Sequence, residues 1–354
     1  LSLQQVAEEE GVKLRLRRKS SVLVASGIAL MLALSACSSG TSSSGGSGSS
    51  DSGSGETLQI AMVSKGFQHQ FWQAVGLGAQ NAADEFGVEI TFEGPESESQ
   101  VDKQLEQLQA AIDRGVDAIG YASLDPEAPI PLLEKAKEMG IPVYMFDAAA
   151  GDEASFGEGA LSLGIARTDG EAAAALAADE MAKLIGSAGK VGVVVHSQTN
   201  ATGVQRRDGF VNQVAAEYPD IEIVSIQYGD GDHQKSADIA KAILAANPDL
   251  KGFYATNEGS AIGIVNALKE LAKQPGDLAV IGFDSGAAQV DAVKTGLMSG
   301  AITQNPIGIG YETVKALVEY VRDGKVPSNF IDTGFYYYTA ENVDDPEIAA
   351  VLYE

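Results

Sequence analysis

From Leu58 onward, short apolar runs alternate with longer segments whose apolar residues recur at helical spacing. The runs are LQIAMV, VEITF, VDAIGYA and IPVYMFD, then VGVVVH, IEIVSIQY, GFYAT, LAVIGFD and AITQ. Between them lie FWQAVGLGAQNAADEFG and VDKQLEQLQAAIDRG, and later GEAAAALAADEMAKLIG and SADIAKAILAANP. Continuous apolar strands alternating with amphipathic helices predict parallel sheets covered on both faces. Nine such strands exceed one comfortable sheet, so the pattern predicts two α/β domains. The GLG at Gly76–Gly78 falls inside a helical pattern rather than between a strand and a helix, which argues for close helix packing and against a dinucleotide fingerprint.

The N-terminal pattern is different. A basic stretch, KLRLRRK, precedes an apolar run of 14 residues, VLVASGIALMLALS. A membrane-spanning helix needs ~20 residues, so residues 1–36 read as a signal peptide. The acidic residues of LSLQQVAEEEG are unusual ahead of such a signal, and translation is expected to begin near Val12. The run ends in LSAC, and Cys37 is the sole cysteine of the chain. This order resembles a bacterial lipobox, which implies cleavage before Cys37 and a lipid on its sulfur. A lone cysteine is otherwise a small buried apolar residue, but the basic, apolar and LSAC order favours the lipid. Residues 38–56 are Ser and Gly with few exceptions, a flexible tether with an r.m.s. span of roughly 25 Å. The expected location is therefore extracytoplasmic, anchored to the outer face of the cytoplasmic membrane.

Charge narrows the partners. Of the 24 basic residues five precede Cys37, and of the 49 acidic ones three do, leaving 19 against 46 and a net of -27 beyond the leader. That balance excludes nucleic acid, whose phosphates need basic surfaces, and it repels anionic headgroups. No Walker-type loop, metal-ligand spacing or nucleophile–base pair stands out, so no cofactor, no metal and no enzymatic activity are expected.

In open α/β sheets, ligands sit at the carboxyl ends of the strands. Those ends read KGFQHQFW (Lys65–Trp72), ASLD, FDAAA, HSQTN, TNEGS, FDSG and TQNP. They are rich in Asp, Asn, Gln, Thr and Ser, groups suited to hydroxyls. Three aromatics within the eight residues of KGFQHQFW could pack in the core, or could offer a face to a sugar ring. Lys65 could be a solvated lysine, His69 a helix-end residue lining the mouth, Asp147 and Asp284 helix caps, and Arg206 an ion-pair partner of Asp208 or a neighbour. His196 and His233 are assigned no role.

The ordered motifs resemble the type I periplasmic binding proteins, in their ribose/galactose branch of ABC sugar-transporter solute-binding proteins. The resemblance rests on the strand–turn–FW opening, IPVYMFD, RRDGF, NPDLKGFYATNE, VIGFDSG and ITQNPIGIGYE, and covers Leu58 to Ile331. It implies two doubly wound, Rossmann-like parallel-sheet domains joined by a three-stranded hinge, with the ligand in the interdomain cleft. Residues 57–167 plus 305–331 would form one lobe and 168–304 plus 332–354 the other. It also implies ligand contacts from Lys65, His69, Phe71, Trp72, Asp147, Arg206, Asn257, Asp284 and Gln304. Three departures from the ribose pattern stand at Ala122, Ala148 and Gly231, each lacking bulk or a donor. They predict a roomier pocket for a pentose, hexose, polyol or modified ribose. The implied partners are ABC permease subunits with a separate ATPase subunit, the protein itself being a monomer. The alternatives are a sensory protein presenting sugar to a chemoreceptor or sensor kinase, a sugar-responsive repressor core, which would need a basic helix-turn-helix, and a sugar-converting enzyme.

Overall fold

The computed structural model describes residues 57–353. The expectations for the leader, Cys37 and the Ser/Gly tether lie outside the described residues. Two six-stranded sheets organise the rest. In the first, β1 (Gln59–Val63), β2 (Glu89–Glu93), β3 (Ala118–Tyr121), β4 (Val143–Phe146) and β5 (Ile165–Arg167) are joined by helices α1 (Gln70–Phe86), α2 (Val101–Arg114) and α3 (Ile130–Glu138). The chain then enters the second sheet through α4 (Gly170–Ile185). That sheet holds β6 (Gly189–Val195), β7 (Ile221–Tyr228), β8 (Leu250–Ala255), β9 (Ala279–Phe283) and β10 (Gly300–Gln304). Its helices are α5 (Ala201–Glu217), α6 (His233–Ala246), α7 (Glu258–Glu270) and α8 (Ala287–Lys294). Helix α9 (Pro306–Asp323) returns to the first sheet, β11 (Phe330–Asp332) joins that sheet, β12 (Phe335–Tyr338) joins the second, and α10 (Pro346–Ala349) follows.

The strand orders are β11-β5-β4-β3-β1-β2 and β12-β10-β9-β8-β6-β7. All pairings are parallel except β10 with β12. The exception follows from the path of the chain. The parallel strands of both lobes run toward the cleft between them. β11 runs the same way and continues across at Thr333–Gly334, so β12 must run away from the cleft. Three short strands, β5, β11 and β12, add to the nine apolar runs, and each has only three or four residues.

The helices end where their sequences change character. Gly87, Gly115 and Gly186 close α1, α2 and α4 in the left-handed conformation, which glycine adopts without a Cβ penalty. Gly78 has a different purpose: a Cβ there would collide with the Ile307 carbonyl, and one at Gly310 with the Val75 carbonyl. These glycines let α1 and α9 approach backbone to backbone. Gly76 instead meets only the Phe92 ring at ordinary contact distance. The central strands bury both faces, and apolar clusters lie on each side of both sheets. Among the described residues no helix is long and apolar enough to cross a membrane.

The lobes touch through three adjacent crossings, at Arg167–Thr168, Gln304–Asn305 and Asp332–Gly334. Thr333 N–H donates to Arg167 O at 3.1 Å, and the Thr168 hydroxyl donates to Gly334 O at 3.2 Å. Gln304 pairs with Phe335 in the β10–β12 ladder. Near the C-terminus Tyr353 reaches both lobes. Its hydroxyl accepts from Ser285 N–H at 2.9 Å, and its ring meets Phe71 edge-on at 6.0 Å.

Candidate functional site

All nine residues expected at the ligand converge on one cavity between the lobes, together with Glu98 and His196. The first strand end supplies the densest group. β1 ends at Val63, and the turn that follows brings Lys65 inward before α1 begins at Gln70. Lys65 Nζ lies 2.8 Å from Asp147 Oδ2 and 5.4 Å from the centre of the Trp72 ring. It also donates across the cleft to the Thr202 hydroxyl at 3.2 Å.

The three aromatics of KGFQHQFW divide. Phe67 is 42 % exposed and meets Phe92 edge-on outside the cavity. Phe71 and Trp72 are buried and nearly perpendicular, at 86° with centroids 4.9 Å apart. Both line the cavity while packing into the first-lobe core. Packing and site therefore coexist in the same rings.

Asp147 and Asp284 end β4 and β9 and share a backbone device. Both have positive φ, 57° and 80°, a region that non-glycine residues seldom occupy and that gathers at functional positions. At Asp147 the next N–H, on Ala148, donates back to Phe146 O at 2.6 Å, making a three-residue turn. Asp284 is closely held: Oδ2 accepts from Glu258 N–H at 2.9 Å and Oδ1 from Gln304 Nε2 at 2.6 Å. Burial pushes its carboxyl up, and Arg206, Gln304 and the Glu258 N–H partly offset this.

Arg206 comes from α5 and lies 3.7 Å above the Phe283 ring. Its Nη1 donates to Thr256 O at 2.9 Å and stands 4.0 Å from Asp284. The ion pair with Asp208 belongs to Arg207 instead, at 2.7 Å. Asn257 caps α7, with Oδ1 accepting from Ser260 N–H at 2.8 Å, which leaves its amide nitrogen for the cavity. Capping and cavity lining are compatible here because the two ends of the amide point different ways.

Among the described residues, several buried polar atoms in the wall have no hydrogen-bond partner: both ring nitrogens of His69, Arg206 Nε and Asp147 Oδ2. The Asp147 oxygen is ion-paired by distance with Lys65 but off the direction of a hydrogen bond. Most buried polar groups in folded proteins are satisfied, so such a concentration marks a place built to meet another polar molecule.

Two of the sequence readings change. His196, assigned no role, is buried and lines the cavity. Thr256 Oγ1 accepts from His196 N–H at 2.9 Å and so is free to donate to Nδ1 at 2.8 Å. The Thr202 hydroxyl donates to Asn200 Oδ1 at 2.7 Å, so Nε2–H donates to Thr202 at 3.1 Å. That network fixes a neutral ring, and burial followed by the charges of Arg206 and Lys65 pushes its pKa well down. The expected extra room is also absent. Ala122 and Ala148 are buried and do not line the cavity. A Cβ at Gly231 would stand 3.4 Å from His69 Nε2 and from Asn257 Nδ2, so side chains from both lobes already occupy that space. Glu98 went unread because its loop, EGPESESQ, looks like a plain polar connection. The strand-end rule applied to β2 would have found it.

Protein also meets protein across the cleft. Asn200 Nδ2 donates to Ser123 O at 2.6 Å, and Gln70 Oε1 accepts from Ala287 N–H at 2.7 Å. The Glu258 carboxylate accepts from Gln70 and Phe71 N–H, at 3.3 and 3.5 Å, at the positive end of α1. Burial, followed by the nearby Asp284, pushes the Glu258 carboxyl up to about 7. The structure is thus a closed one.

Comparison with known proteins places the chain. Residues 60–325 match the periplasmic binding protein domain. The chain belongs to that family of binding proteins. An ABC transporter solute-binding protein from Agrobacterium vitis with bound D-fucose is 33% identical, with a TM-score of 0.79 over 83% of this chain and 100% of that one. A second from the same organism, bound with α-D-tagatopyranose, is 30% identical, with a TM-score of 0.80 over 84% and 100%. The D-allose-binding periplasmic protein of Escherichia coli is 26% identical over 269 residues, 76% of this chain and 86% of that protein.

Proposed function

We propose that this protein is an extracytoplasmic solute-binding protein that encloses a monosaccharide or sugar-like ligand and hands it to an ABC permease. The supporting observation is the cavity between the lobes, lined from both sides and carrying buried atoms of His69, Asp147 and Arg206 that make no hydrogen bond among the described residues. Lys65, His69, Phe71, Trp72, Asp147, Arg206, Asn257, Asp284 and Gln304 are its ligand-facing set. Phe71 or Trp72 offers a face to the apolar side of the ring, and charged groups take the hydroxyls through strong, charge-assisted hydrogen bonds.

The lobes, 57–167 with 305–332 (β11 carries Asp332 into the first sheet, one residue beyond the expected boundary) and 168–304 with 333–354, open and close about the three crossings, and ligand bridging them favours closure. Closure rather than chemistry is the output, and bound sugar is released unchanged. Delivery is to permease subunits with a separate ATPase, from a monomer tethered by lipid on Cys37. Bound fucose and tagatose in the solved relatives, and allose binding in the curated one, support the sugar class.

The test is a thermal-shift screen of the full chain against pentoses, hexoses, polyols and modified riboses. A ligand at 100-fold its dissociation constant adds about 2.7 kcal/mol of apparent stability. A flat response over the whole panel would defeat the reading. For the tether, Cys37→Ser is expected to release the protein from the membrane fraction, and persistent anchoring would contradict the lipid.

A further inference from the structure

Glu98 stands in the loop between β2 and α2, with its carboxylate in the cavity wall. The five charged side chains of that wall divide unequally. Lys65 faces Asp147 at 2.8 Å and Arg206 faces Asp284 at 4.0 Å, whereas Glu98 makes no ion pair among the described residues. Among the described residues its carboxylate accepts one hydrogen bond, from Trp72, whose Nε1–H donates to Oε1 at 2.9 Å. A carboxylate has about four lone-pair directions, so most of its accepting capacity is unspent.

The glycine opposite explains how it reaches the wall. A Cβ at Gly231 would lie 3.9 Å from Glu98 Oε2 and 3.4 Å from His69 Nε2. A large side chain at 231 would displace both. Glu98 and His196 also line an outer pocket that includes Asn200 and Asp230, so Glu98 stands at the boundary between the cavity and its outer side. Burial raises the Glu98 carboxyl, but Lys65, His69, the Trp72 hydrogen bond and Arg206 together outweigh it and hold it below the ordinary glutamate value. The group remains an anion.

We infer that Glu98 is a specificity-determining residue: it accepts a hydroxyl of the bound sugar and turns away the acidic counterparts of that sugar. A hydroxyl meets it with a short charge-assisted hydrogen bond, while a carboxylate or phosphate at the same corner meets like charge in a poorly hydrated site. This rests on the sugar-binding reading above, and it adds a residue and a ligand charge to it.

The experiment is titration calorimetry on the full chain. The neutral probes are D-ribose, D-allose, D-fucose, D-tagatose and D-arabinose; the acidic ones are D-galacturonate and D-ribose 5-phosphate. Glu98→Gln keeps the shape and the acceptor for Trp72. It is expected to bind the tightest neutral sugar about 10- to 100-fold more weakly, the effect of losing a hydrogen bond to a charged group. Its preference for neutral over acidic probes should narrow. Unchanged affinity for the neutral sugar, or an unchanged preference, overturns the inference.

A residue that only held the indole in place would behave differently. In a Trp72→Phe background, Glu98→Gln should still weaken the neutral sugar, and loss of the effect there would also overturn the assignment. Should Glu98→Gln melt markedly lower without sugar, Glu98→Asp takes its place, with weaker binding but the preference for neutral probes retained; a collapsed preference counts against it. Where these probes are silent on the unsubstituted protein, the strongest responder of the thermal-shift panel serves as the neutral sugar, and silence from that whole panel defeats the sugar reading itself rather than this residue alone.

Discussion

At single positions, the cavity reuses groups that also hold the fold. Trp72 is 1 % exposed, packs in the core and donates to Glu98. Trp72→Ala is therefore expected to weaken sugar binding by about 1–3 kcal/mol, the range for aromatic stacking platforms, and calorimetry at matched temperature would show it. Asp147 carries more. Its positive φ suits Asp, Asn or Gly, and its charge compensates Lys65. Asp147→Ala should cost more affinity than Trp72→Ala, since it adds backbone strain to an unpaired buried ammonium. Asp147→Asn should retain the melting temperature better than the alanine variant while still losing affinity. Equal affinities for Asp147→Ala and the parent would remove Asp147 from the site.

At the level of elements, legibility in the sequence followed burial. Strands covered on both faces are continuous apolar runs, so β1, β3, β4 and β6 could be read directly. The helices announced their ends with Gly87, Gly115 and Gly186. IAR, FID and FYYY could not be read as strands, because three or four residues give no period and their pairing depends on where the chain crosses between lobes. Glu98 was obscure for a related reason: its loop carries no apolar pattern, and the contact that positions it comes from Trp72, 26 residues away. His196 was visible at a strand end, but its ring is held by hydrogen bonds to Thr202 and Thr256, which no local pattern joins to it. Packing between elements yields its own test. Gly78→Val would drive branched carbons into the Ile307 carbonyl, and overpacking costs typically about 1–3 kcal/mol. Urea unfolding should show a lower midpoint at unchanged slope, and a midpoint equal to that of the parent would mean α1 and α9 can separate freely.

For the molecule as a whole, pH should act on closure through Glu258. Its carboxyl is at about 7 here against an ordinary value of 4.5, with Asp284 and Glu98 as its acidic neighbours. Between those values the closed form holds a proton that a solvated Glu258 in an open form would lack. Closure is thus favoured at low pH, and the contribution is lost as pH rises from 4.5 through 7. His196 acts in the opposite sense: its depressed pKa removes stability as pH falls below 6.5. Comparison with Glu258→Gln separates them. Across pH 5 to 8 the affinity of the parent should decline relative to the glutamine variant, and parallel profiles would exclude Glu258. Asn200→Ala removes the bond to Ser123 together with the cap that Asn200 Oδ1 gives α5 by accepting from the Thr202 N–H and hydroxyl, and should raise the sugar off-rate by at least roughly tenfold, the effect of one hydrogen bond of about 1 kcal/mol or a little more.

The crossings that join the lobes lie side by side, laced by Thr333 to Arg167, Thr168 to Gly334 and the Gln304–Phe335 pairing. A single linker would leave two bodies free to swivel about any axis. Three linkers in one row behave as a strap: bending across the row is easy, while twist and sideways slip stretch one linker against another. Opening then has one soft coordinate. Both walls of the cavity meet again in the same register each time the strap folds, so recognition is not repeated from random orientations. A pair of spin labels, one per lobe, should therefore give two sharp distances, with and without sugar, in place of a broad continuum.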